Sequence, residues 1–176
     1  SLYFIGDELG TTEILVQSPP SAAPTRVFDA LGDHAFPRVS PDGQRIAYLS
    51  FVHDSMGDVC VRDVPSGSER CVTNEETAEL EVFWLDEGSQ LGVLSRRDLH
   101  SGFLFESISA RGGAPNRLLE RDMIGLARSR DGEYLAYVAV EARRAEIGVS
   151  FASRVGRGLH VMRMPGRSGA AREAVF

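Results

Sequence analysis

The sequence predicts an all-β fold, a β-propeller made of four-stranded antiparallel blades, on three observations. A strand-turn-strand segment occurs three times, and its turn glycines Gly43, Gly88 and Gly132 are spaced 45 and 44 residues apart. A fixed period of this length indicates a repeated supersecondary unit. Apolar positions alternate in phase after each glycine, at Ile46, Tyr48, Leu91, Val93, Leu135 and Tyr137. Four short strands per period form a blade, which buries its faces only against neighbouring blades.

Each predicted blade is a run of short strands joined by turns rich in Gly, Pro and Asp. In the best-formed copy the strands are predicted at residues 36–40, 45–51, 57–64 and 70–73. The following copy has them at residues 82–85, 90–95, 103–109 and 117–119. The last copy has them at residues 125–129, 134–140, 159–164 and 172–176, with a longer connection over 141–158. Strands at residues 2–5, 13–17 and 25–28 fit the same frame without its opening strand.

The domain organisation that follows is a single propeller segment over residues 1–176. A partial blade spans residues 1–33, and whole blades span 34–78, 79–122 and 123–176. A closed ring removes the exposed edges of a sheet, and fewer than four blades do not close one. We therefore expect part of a larger propeller whose open edges favour association into a homo-oligomer.

Composition and charge exclude several classes of partner. The chain has a net charge of -6 and no cluster of basic residues, which argues against binding nucleic acid. All 19 of its basic residues are Arg, whose planar fork suits pairing with carboxylates. No apolar run approaches the ~18 residues of a membrane span, so no membrane insertion is expected.

The turn segments carry a resemblance to a known family. Residues 40–43 read Ser-Pro-Asp-Gly and precede Gln-Arg-Ile-Ala-Tyr, and residues 129–132 read Ser-Arg-Asp-Gly and precede Glu-Tyr-Leu-Ala-Tyr. This pattern resembles the repeat of TolB-like β-propellers, which also occurs in the propeller domains of prolyl oligopeptidase-type peptidases. The resemblance implies a six-bladed parent and an exported, envelope-associated role in a bacterium. It covers essentially the whole chain, although residues 85–88 lack the Pro of the motif.

The residues of the motif have a structural role in this interpretation. Asp accepts hydrogen bonds within its own turn, and Gly accepts the positive φ that the turn requires. We therefore predict structural turns at Asp42, Gly43, Gly88, Asp131 and Gly132.

The two cysteines lie in neighbouring strands of one predicted blade. If Pro65 and Ser66 form a two-residue turn, Cys60 and Cys71 face each other across the hairpin, within the distance that a disulfide spans. A longer turn would shift the register and leave two free buried thiols, so both alternatives stay open. A disulfide would indicate an oxidising compartment, periplasmic or otherwise exported.

Charged and imidazole side chains gather on one predicted face. In a propeller, the loops between second and third strands and those between blades emerge together around the channel. The candidates for binding a protein partner there are His34, His53, Asp54, Arg96, Arg97, His100, Arg143 and Arg144, and Asp33, Asp98 and Asp122 fall on the same face. The alternative is that loops collect polar residues without a binding role. No metal-ligand spacing is present, and neither a metal nor another cofactor is predicted.

The sequence predicts a non-catalytic module that binds another protein through this channel-mouth face. It contains no Gly-x-Ser-x-Gly elbow and no nucleophile with a neighbouring base. The alternative is a substrate-gating propeller domain of a prolyl oligopeptidase-type peptidase whose catalytic domain lies outside this chain. A lyase-like propeller with metal-binding histidines is a third hypothesis.

Overall fold

The computed structural model describes residues 1–8, 10–28, 32–53, 55–97, 102–121, 123–129, 134–141, 156–163 and 172–175. These residues form four antiparallel sheets, numbered here in chain order. Sheet 1 contains β1 (Leu2–Glu8), β2 (Thr11–Gln17) and β3 (Thr25–Arg26). Sheet 2 contains β4 (His34–Val39), β5 (Arg45–Ser50), β6 (Asp58–Asp63) and β7 (Glu69–Cys71). Sheet 3 contains β8 (Ala78–Leu85), β9 (Gln90–Arg96), β10 (Phe103–Ser109) and β11 (Asn116–Arg121). Sheet 4 contains β12 (Met123–Arg128), β13 (Tyr134–Glu141), β14 (Gly156–Arg163) and β15 (Arg172–Val175).

Each sheet is a meander in which strands consecutive in sequence pair with one another. The all-β prediction is confirmed, and within the described residues sheet 1 has three strands, as predicted for the first unit. Several strands begin earlier than the sequence indicated. Strand β4 starts at His34 rather than residue 36, β8 at Ala78 rather than 82, and β14 at Gly156 rather than 159.

The first strands of sheets 2, 3 and 4 each contain a register shift. This shift explains why β4 and β8 begin earlier than predicted. The pairing with the second strand shifts between Ala35 and Arg38 in β4, between Glu79 and Glu81 in β8, and between Ile124 and Leu126 in β12. A β-bulge of this kind places an extra residue on one strand and reverses the phase of the apolar alternation. The residues before the bulge therefore do not follow the pattern that identifies the rest of the strand.

The predicted turn motif makes the same hydrogen bonds in two sheets. The amide of Ser40 donates to the carbonyl of Arg45 at 2.8 Å, and the amide of Arg45 donates to Ser40 Oγ at 2.9 Å. Ser129 and Tyr134 repeat both bonds, each at 2.9 Å. The Asp42 carboxylate accepts from Ser40 Oγ and from the amide of Gln44. These donors hold the pKa of Asp42 below its ordinary value.

Sheet 3 turns differently, because Leu85 replaces the serine. Residues Asp86–Gly88 form a short 3-10 turn in which Asp86, Glu87 and Gly88 have φ values of 47°, 53° and 93°. Gly43 has a φ of 71°, so both glycines occupy the left-handed region that favours Gly. Asp131 and Gly132 lie outside the described residues, and their turn role stays a prediction.

The apolar core consists of a separate cluster between each pair of neighbouring sheets. The first seam, between sheets 1 and 2, contains Ile14, Phe28, Ile46, Tyr48 and Cys60. The second seam, between sheets 2 and 3, contains Ala47, Leu49, Val59, Val61, Val82, Trp84, Leu91, Val93, Ile108 and Ala110. The third seam, between sheets 3 and 4, contains Leu85, Leu94, Phe105, Met123, Leu135, Tyr137 and Met162. The alternating apolar positions predicted from the repeat lie in the second strand of sheets 2, 3 and 4. In each of these sheets they pack in the seam with the preceding sheet.

The cysteines take the register that the short turn predicted. Cys60 on β6 lies directly opposite Cys71 on β7, and a disulfide joins them. Cys60 is buried in the first seam, whereas the whole of β7 is exposed. The disulfide therefore attaches a three-residue edge strand to the core.

Candidate functional site

An open cavity lies between sheets 1 and 2, on the face where the connection between β5 and β6 emerges. Its volume is about 420 Å³, and its wall is formed by Thr12, Asp33, Ala35, Phe51 and Ser55. These residues come from the beginnings of β2 and β4 and from the segment that follows β5. The cavity therefore belongs to the face that the sequence predicted for partner binding.

Asp33 joins three elements at this cavity. Its Oδ1 accepts a hydrogen bond from the amide of Thr12 at 2.8 Å, which connects sheet 1 to the segment preceding β4. Its backbone carbonyl accepts from the amide of Phe51 at 2.8 Å, which connects that segment to the end of β5. Two hydrogen bonds to one residue thus fix the relative position of the cavity walls.

Close contact at Gly32 brings the two loops of this face together. A Cβ atom at Gly32 would lie 2.6 Å from Val52 Cγ2 and 2.8 Å from His34 Cε1, so only glycine fits without displacement. Val52 nevertheless keeps 49% of its surface exposed, and Met56 in the same loop is also exposed. These two exposed apolar side chains are next in sequence to Phe51 and Ser55, which line the cavity.

The prediction of His34 as an exposed loop residue is corrected by the structure. His34 is the first residue of β4 and is only 7% exposed. Its ring stacks on Phe28 with centroids 4.2 Å apart and meets the edge of Tyr48 at 5.5 Å. Burial lowers the pKa of His34, against the opposing charges of Glu13, Glu69 and Asp33. His34 therefore belongs to the first seam beneath the cavity rather than to its rim.

A charged group covers the aromatic cluster. Tyr48 donates its hydroxyl to Glu69 Oε2 at 3.1 Å, and Arg62 donates to the same oxygen at 3.4 Å. The Arg62 guanidinium lies 5.1 Å from the centre of the Phe28 ring, within cation–π range. Burial and the neighbouring Glu69 raise the pKa of Tyr48, so its hydroxyl stays protonated.

A buried ion pair in sheet 1 completes the surroundings of the site. Glu13 is fully buried, and its Oε1 lies 2.6 Å from Arg26 Nη2. The same oxygen accepts from the hydroxyl of Thr11 at 3.3 Å and from the amide of Gly32 at 3.4 Å. Sequence reasoning missed this pair, because Glu13 interrupts an apolar strand without any spacing that distinguishes it from an exposed residue.

The remaining predicted rim residues are distributed as follows. His53 is exposed in the loop after β5, close in sequence to the cavity-lining Phe51 and Ser55. Arg96 ends β9, with its guanidinium 5.0 Å from the ring of Phe103, and Arg97 is exposed beside it. Four predicted candidates lie outside the described residues, namely Asp54, His100, Arg143 and Arg144.

Sequence reasoning also missed the cavity residues other than Asp33. Thr12, Ala35, Phe51 and Ser55 lie in predicted strands or connections that have no predicted role. Their only sequence signal is position, because each lies within a few residues of a predicted turn on this face.

Within the described part of the chain, no group of three or more His, Cys, Asp or Glu side chains is arranged to hold a metal ion. The described residues also contain no helix of the length and apolarity that crossing a membrane requires.

The stacked meanders define the class of the protein as a β-propeller, and known structures agree. No protein-family model matches the sequence, and no curated protein is significantly similar to it. Among solved structures, a TolB protein from Agrobacterium tumefaciens superposes with a TM-score of 0.67 at 19% identity over 94% of this chain. TolB from Acinetobacter baumannii superposes with a TM-score of 0.63 at 18% identity over 97% of this chain. The fold is therefore that of a TolB-like β-propeller.

A third similar structure comes from a peptidase. The β-propeller domain of the Trilobed protease from Pyrococcus furiosus superposes with a TM-score of 0.62 at 12% identity over 99% of this chain. This chain spans 57%, 41% and 52% of the Agrobacterium, Acinetobacter and Pyrococcus chains. At these identities the likeness defines the fold and leaves the activity open.

Proposed function

We propose that this segment is a non-catalytic propeller module that binds another protein through the rim of the cavity between sheets 1 and 2. One observation carries the proposal. The loop after β5 exposes Val52 and Met56 and also lines a cavity whose walls are connected by the hydrogen bonds of Asp33. Protein interfaces combine a central apolar contact with a polar rim. His53 supplies a polar side chain in the same loop, whereas the buried His34 supports the wall from below.

The predicted location of this module is the envelope of a bacterium. Two observations support export: the TolB-like fold and the Cys60–Cys71 disulfide, which persists in oxidising compartments. Fractionation of cells that express the tagged parent protein at its natural level tests this. Recovery with the periplasmic contents is expected, and recovery only with the cytosol contradicts the location.

The binding proposal is tested by capturing envelope proteins on the immobilised chain. The Val52→Arg variant places a charge on the rim, and Val64→Arg is the matched control, because Val64 is similarly exposed, at 40%, in the turn after β6. We expect at least one protein to be retained by the wild type and by Val64→Arg and lost with Val52→Arg. Its purified form should then bind at least tenfold more weakly to Val52→Arg, a difference of about 1.4 kcal/mol. Equal retention by all three chains contradicts the proposal.

Association of the chain with itself is a further part of this proposal. Strand β1 pairs with β2 and, within the described residues, forms no ladder along its other edge. Leu2 and Ile5 on this strand are exposed. Unpaired strand edges with apolar side chains promote association. Sedimentation velocity should show a concentration-dependent dimer that weakens with Ile5→Lys; a monomer at all concentrations contradicts it.

The alternative function is a substrate-gating domain of a peptidase. The observation that favours it is the similarity to the propeller domain of the Trilobed protease. An α/β-hydrolase domain encoded after residue 176 would support this alternative. A parent protein without such a domain would leave the binding module as the better proposal.

A further inference from the structure

A second cavity lies at the end of β4 that is farther from the first cavity. Its volume is about 300 Å³. Ala35, near the start of β4, lines the first cavity, whereas Arg38 and Val39, at the end of β4, line the second. Residues from the ends of β8 and β12 also line the second cavity. It therefore joins sheets 2, 3 and 4 at a place distinct from the proposed partner rim.

The walls of this cavity combine apolar surface with positive charge. Its apolar part consists of Val39, Pro41, Phe83 and Trp84. Two arginines separated by ninety positions in the chain, Arg38 and Arg128, converge on it beside Ser129. None of the described residues that line it is an Asp or a Glu. Arg38 and Arg128 supply the charged groups of this lining, and Arg38 also pairs with Glu81, which does not line the cavity.

The position of the indole is fixed. Trp84 donates its Nε1–H to the carbonyl of Arg38 at 2.6 Å, and the guanidinium of Arg45 lies 4.9 Å from the indole ring. Trp84 is almost fully buried, so its ring is a rigid wall rather than a mobile surface group. A ligand would therefore meet a pre-formed apolar surface, and little conformational entropy would be lost on binding.

The Arg38 guanidinium is accessible to an incoming anion. Its Nη2 lies 3.3 Å from Glu81 Oε1, and 39% of the Arg38 side chain remains exposed. A partly exposed ion pair of this kind is weak, so a second carboxylate can share or replace it. The planar fork of Arg binds carboxylates through paired N–H groups.

We propose that this cavity binds the C-terminal residue of an extended peptide whose last side chain is apolar. The terminal carboxylate would pair with Arg38 and Arg128, and the side chain would pack on Trp84 and Phe83. A volume of 300 Å³ is at the lower end of ligand sites, ~300–1,000 Å³, and suits one terminal residue better than a folded surface.

The adjoining strands offer a path for the rest of the peptide. Strands β4 and β8 are the first strands of their sheets and pair on one side only among the described strands. Each also exposes an apolar side chain at its bulge, Phe36 in β4 and Leu80 in β8. Extended peptides bind unpaired strand edges through main-chain hydrogen bonds, so these edges favour a peptide over a free small acid.

Trp84 is the single tryptophan of the chain, so intrinsic fluorescence reports directly on this cavity. The test titrates the protein with acetyl-Gly-Ala-Leu that has a free C-terminus, and with the same peptide as its C-terminal amide. We expect a saturable change with the acid and at least tenfold weaker binding of the amide, because the amide lacks the charge that the arginines recognise. Equal affinity for acid and amide overturns the proposal.

Variants locate the interaction. Arg38→Gln and Arg128→Gln should each weaken binding at least fivefold, whereas Arg117→Gln should leave it unchanged. Arg117 is the matched control, because it forms an exposed pair with Glu120 on the outer strand β11. Circular dichroism verifies that each variant is folded, and if Arg128→Gln is not, Arg38→Gln decides alone. Unchanged affinity in folded Arg38→Gln overturns the site.

Two further measurements complete the test. One distinguishes a peptide C-terminus from a small free acid, and the other distinguishes the second cavity from the first. If acetyl-leucine binds as tightly as the tripeptide, the site recognises a small free acid and the peptide assignment is wrong. Val52→Arg, in the loop after β5 beside the first cavity, should leave peptide affinity unchanged. Failure of the proposed partner binding would thus be distinguishable from failure of this site.

Discussion

The first and second seams hold neighbouring sheets together with different chemistry. The second seam is mainly aliphatic, with Leu49, Val59, Val82 and Leu91 fully buried beside the buried Trp84. The first seam contains an aromatic cluster of Phe28, His34 and Tyr48, with ion pairs close to it.

The two kinds of chemistry contribute differently, one mainly to stability and the other to the positions of side chains. Aliphatic burial stabilises roughly in proportion to area and imposes little direction. Stacked rings and buried hydrogen bonds have preferred geometries, and they lose stability when one partner is removed. The first seam adjoins the cavity of about 420 Å³, where Asp33 and Gly32 must be held in place. The chemistry of the first seam is therefore suited to positioning this cavity, and the aliphatic part of the second seam to supporting the fold.

The largest effect is expected from Leu91→Ala in the second seam. Leu91 is fully buried, and truncation of such a side chain costs about 2–5 kcal/mol of unfolding free energy. Urea denaturation followed by circular dichroism measures this loss. Leu80→Ala is the control on the same sheet; because Leu80 is exposed, a change within about 0.5 kcal/mol is expected. Equal losses in both variants would contradict the role given to the second seam.

A smaller effect is expected from Arg26→Met beside the first seam. This change leaves the buried Glu13 carboxylate without its cation and should cost about 1–3 kcal/mol, since a buried charge loses its partner. The double variant Glu13→Gln/Arg26→Met should recover part of the loss. Arg117→Met, which breaks an exposed pair with Glu120, should cost no more than about 1 kcal/mol. A loss no greater than that of Arg117→Met would show that the buried pair stabilises little.

The smallest effect is a pH dependence that involves His34. Its pKa in the folded protein is below the ordinary 6.5, because burial disfavours the charged ring despite nearby Glu13, Glu69 and Asp33. Stability is therefore complete above the unfolded-state pKa near 6.5 and is lost as pH falls toward the folded-state pKa. Denaturation at pH values from about 7 down to 5.5 should show a decline in the wild type that is reduced in His34→Phe. Parallel profiles would exclude His34 as the source.

The fold was predictable because its signal repeats. Ser40 and Ser129 close their turns with the same two hydrogen bonds, and the intervening positions retain the spacing of the strands. The facing cysteines also followed from register, since Cys60 and Cys71 are related by a short hairpin. Local turn chemistry and alternation suffice for such features, because they depend on residues close in sequence.

The site was less predictable because it depends on contacts between sheets. His34 follows Gly32 and Asp33 and precedes a bulge, so its sequence surroundings are typical of a loop although it is buried in a strand. The hydrogen bond from Thr12 to Asp33 spans two sheets, and nothing in either segment indicates the other. The convergence of Arg38 and Arg128 likewise requires the three-dimensional arrangement of three sheets.

Strand β5 is buried on both faces, with Ile46 and Tyr48 in one seam and Ala47 and Leu49 in the other. Side chains in a strand alternate between faces, so a shift of one residue exchanges the two sets. In evolutionary terms, insertions and deletions should be excluded from this strand and confined to the turns that flank it. Homologues of this chain should therefore vary in loop length on both sides of β5 while the strand itself keeps a constant length.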